Sequence, residues 1–452
     1  MPDTMTIDSF DDLRQREFSR LDEQGIAYLD YAAAGLYSAS QARAYSERLC
    51  AGIYGNPHSE HLPSRASERD LEAARRATLA FFDADPDVYD VCFTANTSAA
   101  IKLVAESYAF GPRRGLLLSA DNHNSVNGMR EYANRAGAPV GVLQLDSALR
   151  LEEPARHLRE LAKPDRGGLF AFPVQSNFSG VRHPLELVVE AKRLGLDVLI
   201  DAAGCCLSGD ISLRRYPADF LAFSYYKLFG LPTGVGALIA RRDALERLNR
   251  PWFAGGTVDF VSIAHDRHQL TRGHAGFEDG TPNFLSAAAI LDGFDFISRH
   301  STESLRERLR SLTSLFISEA QALAHPDGSP LVRLYGPANM DRRGGTVAFN
   351  ILRPNGETLP YWQVEHAARD AGIAIRGGCF CNPGAAERAF DFERHAIAGC
   401  LDALGAGFTI PKLQQALGNT ATVGALRLSI GAPTIKDDIE RAIVVLASMA
   451  AA

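Results

Sequence analysis

No stretch of the 452 residues approaches eighteen consecutive apolar positions, the length a helix needs to cross a bilayer. The opening "MPDTMTIDSFDDLRQREF" is acidic and has no apolar core of the length a secretory leader requires. Runs of lysine and arginine are missing too, and the formal net charge is −7. Nucleic acid is therefore excluded as a partner, because its phosphates call for a concentrated basic footprint. A small anion can still bind in a locally positive pocket. Cysteine is sparse, at Cys50, Cys92, Cys205, Cys206, Cys379, Cys381 and Cys400. An odd, scattered set in a chain without a leader argues against a disulfide framework and predicts reduced thiols in the cytoplasm. Internal repeats and low-complexity tracts are lacking as well. What remains has the composition of a soluble globular protein, with enough length for one large two-part fold.

From about residue 90 to 242, short apolar runs alternate with helix-like segments. "DVYDVCFT", "RGLLLSA", "PVGVLQL", "GGLFAFPV", "LDVLID", "DFLAFS" and "VGALIAR" read as strands. "SAAIKLVAESYA", "NSVNGMREYANRAG" and "PLELVVEAKRLG" between them read as helices. Strands apolar on both faces, alternating with amphipathic helices, predict a mainly parallel sheet covered by helices. The last two strands are close enough in sequence for one antiparallel neighbour. Near residue 297 the pattern changes to a long amphipathic helix, "TESLRERLRSLTSLFISEAQAL". The strands "GGTVAFNIL", "IAIRG" and "GALRLSI" follow, with a closing helix "KDDIERAIVVLASMA". The expected division is an N-terminal segment (1–30) packing on the small domain, a large α/β domain (31–296) and a smaller α+β domain (297–452).

Ligands of open parallel sheets gather at the carboxyl ends of the strands. Asn96-Thr97-Ser98 stands at one such end, where hydroxyls and free helix-start amides suit an anion; on the spacing alone an ordinary N-cap is the first reading. Asp201 closes "LDVLID", where a carboxylate can simply cap the next turn. Lys227 lies in "SYYKLFG", among aromatic and apolar residues that are a costly setting for a charged amine. A lysine, a carboxylate and a hydroxyl-rich anion site are together what pyridoxal phosphate needs. The lysine forms a Schiff base, the carboxylate pairs with the pyridinium nitrogen, and hydroxyls and amides hold the phosphate.

Eight stretches in order carry a family resemblance: "YLDYAAAG", "YGNPHS", "NHNSVNGMREYA", "VQSNFSG", "SYYKLFGLPTGVGALI", "GGTV", "FEDGTPNFLS" and "RGGCFCNPG". The chain resembles the class V aminotransferase group of fold-type I pyridoxal phosphate enzymes, which includes the cysteine desulfurases. Its likeness is greatest to the desulfurase part of molybdenum cofactor sulfurases. The resemblance implies that Lys227 binds the cofactor, that Asp201 pairs with its ring nitrogen and that His123 stacks on the ring. For His123, a helix-capping surface residue is the ordinary alternative. It places Asn177 at the phenolic oxygen and Ala203 beside the ring. Thr97, Ser98 and Ser224 would take the phosphate with Asn96 and Tyr226, the last standing where commoner desulfurases often carry a histidine. Thr257 and Thr281 match positions that reach a neighbouring subunit's phosphate, which implies a homodimer with shared sites. Without the family they read as turn residues.

By the same resemblance, Arg427 anchors the substrate carboxylate and Arg376 opens the thiol loop; on pattern alone either is an ordinary salt-bridge partner. Family spacing from Arg376 lands on Cys381 as the nucleophile that takes sulfur from L-cysteine as a persulfide, with Cys379 as a neighbour able to relay. Such a thiol should be mobile, exposed and near positive charge, which the glycine-flanked "RGGCFCNPG" suits. Cys379 and Cys381 alone are half a zinc site, and Cys205 with Cys206 would complete it only by coincidence, so no metal is expected. The function implied is a cysteine desulfurase releasing L-alanine. A C–S lyase, an epimerase or a decarboxylating deaminase acting on a larger amino acid is the alternative on the same scaffold. Eukaryotic molybdenum cofactor sulfurases carry a further C-terminal domain, and the expectation here is of a chain without it. The sulfur acceptor is accordingly open: a protein, a cofactor or a biosynthetic intermediate.

Overall fold

The computed structural model describes residues 10–162, 167–205, 211–392, 394–418 and 421–451. Seven strands form the main sheet: β1 (Tyr89–Thr94), β2 (Arg114–Ser119), β3 (Val140–Leu143), β4 (Gly167–Pro173), β5 (Leu196–Asp201), β6 (Phe220–Ser224) and β7 (Gly236–Arg241). Their order across the sheet is β1-β7-β6-β5-β4-β2-β3. Neighbours pair in parallel from β3 through β6, whereas β7 runs antiparallel to both β6 and β1. The expected antiparallel neighbour is therefore β7.

Alternation along the strands divides the core into two layers. Phe170, Phe172, Val198, Ile200, Leu221 and Phe223 pack on one side of the sheet. Leu169, Ala171, Leu199, Phe220 and Ala222 pack on the other, against the helix Thr97–Ser107. With both faces covered, the strands hold apolar residues throughout, as the sequence showed.

Topology also fixes where chemistry can occur. Two antiparallel steps through β7 leave β1 pointing the same way as β4, β5 and β6. Thr94, Pro173, Asp201 and Ser224 therefore end at one edge. Gly236 starts β7 at that edge, where a Cβ would lie 2.6 Å from the Asn96 backbone. Only glycine allows so close an approach of the helix-start loop to the sheet.

A second, antiparallel sheet contains β8 (Val332–Tyr335), β9 (Thr346–Ile351), β10 (Arg376–Gly378) and β11 (Ala425–Ser429), in the order β8-β9-β11-β10. The helices Thr302–Ala322 and Lys436–Ser448 cover its core. The N-terminal pair Ala27–Tyr28 aligns in parallel with Ile373–Ala374, and Asp30 bridges to Ser429. Segments the sequence reading did not resolve include a hairpin of Val258–Ser262 with Arg267–Leu270 and two helices after the thiol loop, Arg394–Leu404 and Ile410–Leu417. Among the described residues, no helix is long and apolar enough to cross a membrane.

Candidate active site

A cavity of about 380 Å³ opens at the shared strand edge. Asn96, Thr97, Ser98, His123, Asn177, Asp201, Ala203, Ser224, Tyr226 and Lys227 all line it. Ten of the twelve expected cofactor residues thus converge from five separate segments. The exceptions are Thr257 and Thr281. Thr257 is buried in a turn, bonded to Ala254, and Thr281 accepts from Asn56 Nδ2 at 3.1 Å in an adjoining cavity of about 360 Å³.

Several of these residues do both things the sequence allowed. Asn96 caps the helix Thr97–Ser107, its side chain accepting from the Ala99 N–H, yet it faces the cavity. Asp201 accepts from the Ala203 N–H at 2.9 Å and likewise opens into the cavity. His123 caps a short helix: its Nδ1 accepts from the Ser125 N–H at 3.1 Å. That bond fixes the neutral tautomer with the proton on Nε2. Burial pushes the His123 pKa down; Lys227 and Arg427 add to the shift and Asp201 opposes it. The neutral ring is favoured as a result.

At the hydroxyl-lined end, Ser224 Oγ accepts from the Thr97 N–H at 2.8 Å and pairs with Thr97 Oγ1 at 2.6 Å. Ser98 Oγ meets Ser125 Oγ at 2.6 Å, and that hydroxyl lies 3.0 Å from His123 Nδ1. Clustered hydroxyls beside a helix start are groups able to donate to an anion. The lysine is placed by the short helix Tyr225–Phe229, whose Tyr225, Leu228 and Phe229 are buried while Tyr226 and Lys227 turn toward the cavity. Among the described residues the Lys227 amine has no hydrogen-bond or ion-pair partner.

Arg376, Arg427 and Cys381 stand outside the cavity lining. Arg427 is buried; its Nη1 donates to the Asn177 carbonyl at 3.0 Å and its Nη2 to Asp30 Oδ1 at 3.0 Å. Its Nε is buried and, among the described residues, without a partner. Burial lowers the Arg427 pKa, with Asp30 opposing. Arg376 also pairs with Asp30, at 2.8 Å. The salt-bridge reading thus holds for both arginines.

The thiol loop follows β10. Phe380 and Cys381 both adopt left-handed backbone, at φ 54° and 55°, which is strained for residues with a Cβ. Side chains and amides from the strand ends hold it. Asn177 Nδ2 donates to the Phe380 carbonyl at 2.6 Å, and the Asn124 N–H to the Cys381 carbonyl at 2.7 Å. Asn382 donates to Asp121 Oδ1 at 2.7 Å and to Asn177 Oδ1 at 3.0 Å. Asp121 is itself buried against His183 and Ser176. Cys381 is exposed, and its backbone is tied on both sides by hydrogen bonds that the glycine content did not reveal. Cys379 is half-buried, donates to the Val423 carbonyl at 3.3 Å, and burial pushes its pKa up to about 11. Cys206 lies outside the described residues, and among those described no cluster of three metal-ligating side chains occurs.

Asp30, Asp121, Ser125 and Asn382 belong to the site and were not singled out from the sequence. Asn382 carried a signal, since Asn-Pro is a helix-start pair and Asn382 does cap Pro383–Ala389. Asp30 had only its place within "YLDYAAAG".

Residues 27–441 match the family model described as aminotransferase class-V. The molybdenum cofactor sulfurase of Solanum lycopersicum is 38% identical over 83% of this chain and 50% of its own length. That of Arabidopsis thaliana is 34% identical over 95% and 57%, and that of Homo sapiens 34% over 96% and 50%. The chain spans about half the length of these curated relatives. A cysteine desulfurase from Thermococcus onnurineus NA1 superposes with a TM-score of 0.79 at 24% identity, covering 99% of both chains. One from Escherichia coli gives 0.76 at 21% identity, also covering 99% of both. The shared architecture is the fold-type I arrangement of a large seven-stranded sheet with a smaller antiparallel one. With the family match spanning nearly its whole length, the chain belongs to the class-V aminotransferase family.

Proposed function

We propose that this chain is a pyridoxal phosphate-dependent cysteine desulfurase of the molybdenum cofactor sulfurase type, converting L-cysteine to L-alanine. The observation that carries the proposal is the Lys227 amine, unpartnered among the described residues and sharing one cavity with Asp201, His123 and the Thr97–Ser224 hydroxyl pair. These residues fit the cofactor: Lys227 would hold its aldehyde carbon, Asp201 its ring nitrogen, and Thr97, Ser98 and Ser224 its phosphate. When bound, the cofactor supplies an electron sink that makes the substrate Cα proton removable.

The chain's own residues supply the rest. Arg427, whose buried Nε has no partner among the described residues, would take the substrate carboxylate. Lys227 and the neutral His123 are placed to move protons at Cα and at the substrate sulfur. The Cys381 thiolate attacks that sulfur. The carbon–sulfur bond breaks, carbon keeps the electron pair and takes a proton to become the alanine methyl, and sulfur stays on Cys381 as a persulfide. Cys379 is the weaker nucleophile, its thiolate disfavoured by burial. No disulfide joins the six described cysteines, which suits a reducing compartment such as the cytoplasm.

A second copy of the chain is the proposed partner. Ile53, Leu62, Phe260 and Ile263 are exposed apolar side chains. Their segments meet through the Asn56–Thr281 bond and the Gly280–Gly255 backbone bond, beside the two threonines absent from the main cavity. The sulfur acceptor is proposed as a further partner, and the division into 1–30, 31–296 and 297–452 as the domain plan.

The test is incubation of the cofactor-loaded protein with L-cysteine. Equimolar alanine and a mass increment of one sulfur on Cys381 support the proposal. A keto-acid product, or alanine and sulfide formation undiminished in Cys381→Ser, overturns it.

A further inference from the structure

Strands β10 and β11 place Arg376 directly opposite Arg427. Like charges facing each other across an antiparallel pair repel. The carboxylate that relieves this comes from far away in sequence: Asp30 binds Arg376 Nε and Nη2 through Oδ2, at 3.0 and 2.8 Å, and Arg427 Nη2 through Oδ1, at 3.0 Å. Asp30 is buried, its backbone bridges to Ser429, and its carboxylate is held in place by the two guanidiniums. Glu365, the other carboxylate acting on Arg376, is bound to the Gly377 N–H and makes no ion pair among the described residues.

Two guanidiniums and one shared carboxylate leave a single net positive charge. We propose that Asp30 is the specificity-determining residue of the anion site. By bridging Arg376 and Arg427 it limits the pair to one carboxylate and discriminates against substrates with a second acidic group nearby. The inference rests on the reading of Arg427 as the substrate anchor and deepens it. Asp30 touches no reacting atom; it acts by setting the charge and orientation of the two arginines. Arg427, buried with its Nε unpartnered among the described residues, serves one carboxylate, whereas Arg376 is half exposed and, among the described residues, is restrained from serving another by its ion pair with Asp30.

Calorimetric binding of malonate and of propionate to the cofactor-loaded protein tests this without turnover. Asp30→Asn, nearly isosteric but uncharged, should bind malonate about tenfold more tightly relative to propionate than the natural chain does, an advantage that shrinks at high salt. Asp30→Glu, which keeps the charge, should restore the natural ratio. A malonate-to-propionate ratio within about twofold of the natural one in folded Asp30→Asn overturns the proposal. Should that variant not fold, Arg376→Gln decides: the partly exposed position tolerates the change, the net charge of the cluster falls from one to zero, and malonate, a dianion, should lose about fivefold relative to the monoanion propionate. An unchanged ratio there also overturns it. Expected ratios in a protein that releases no alanine from L-cysteine would sink the desulfurase reading and leave this one standing.

Discussion

The lysine cavity and the thiol loop are assembled on different principles. Around Lys227, each functional side chain sits at the end of a strand or the start of a helix whose position the seven-stranded sheet fixes. Strand topology alone brings Asn96, Asp201 and Ser224 to one edge. Around Cys381, regular structure ends at Gly378, and position depends on individual hydrogen bonds donated by Asn124 and Asn177 and on the one Asn382 donates to Asp121. The first region should survive loss of a side chain without moving. The second should lose its geometry once a tie is cut.

The largest effect is expected at the first region. Lys227→Ala should lower alanine release from L-cysteine by roughly a thousandfold or more while thermal unfolding stays near that of the natural chain. Borohydride should then fix no pyridoxyl group at that position. A variant that unfolds early would show that the cavity, too, relies on one side chain. Cys381→Ser should reduce sulfur transfer by about a hundredfold and leave the cofactor's visible absorbance intact, read by spectrophotometry and product assay. Altered absorbance would mean that the two regions are not separable.

A smaller change should follow from cutting a tie. Asn382→Ala strips Asp121 and Asn177 of a buried donor and removes a helix cap, costing about 2 kcal/mol in urea unfolding. Turnover should fall more than cofactor affinity, because the strained Phe380–Cys381 backbone is released. Equal losses in both would contradict the division drawn here.

The smallest effect is a pH dependence. The His123 pKa is lowered in the folded chain by burial, so the unfolded chain binds more protons just below the ordinary imidazole pKa. Its contribution to stability is complete above that ordinary value, near 6.5, and is lost as pH falls toward the lower folded value. His123→Asn should flatten this part of the stability profile in chemical denaturation across mildly acid pH. An unaltered slope would remove His123 from the set of buried groups.

Much of this was legible from the sequence because the signals were local. Apolar runs gave all seven strands of the main sheet, and the ends of those runs gave Asn96, Asp201 and Ser224. Asp30 and Asp121 could not be read the same way. Each acts on residues more than two hundred and fifty positions distant, and nothing in its own neighbourhood marks the contact. The hairpin Val258–Leu270 escaped for another reason: its strands are largely exposed, so the buried-face alternation that betrays a strand is weak.

The sequence by itself determined the alternation of strands and helices, the clustering of chemistry at strand ends and the isolation of one lysine among apolar neighbours. Periodicity and side-chain polarity act over a few residues and are written into neighbouring positions. Only the tertiary structure decided that Asp30 neutralises one of two facing arginines and that the Cys381 backbone is clamped. Charge pairing and hydrogen bonding depend on distance in space, which chain separation does not encode.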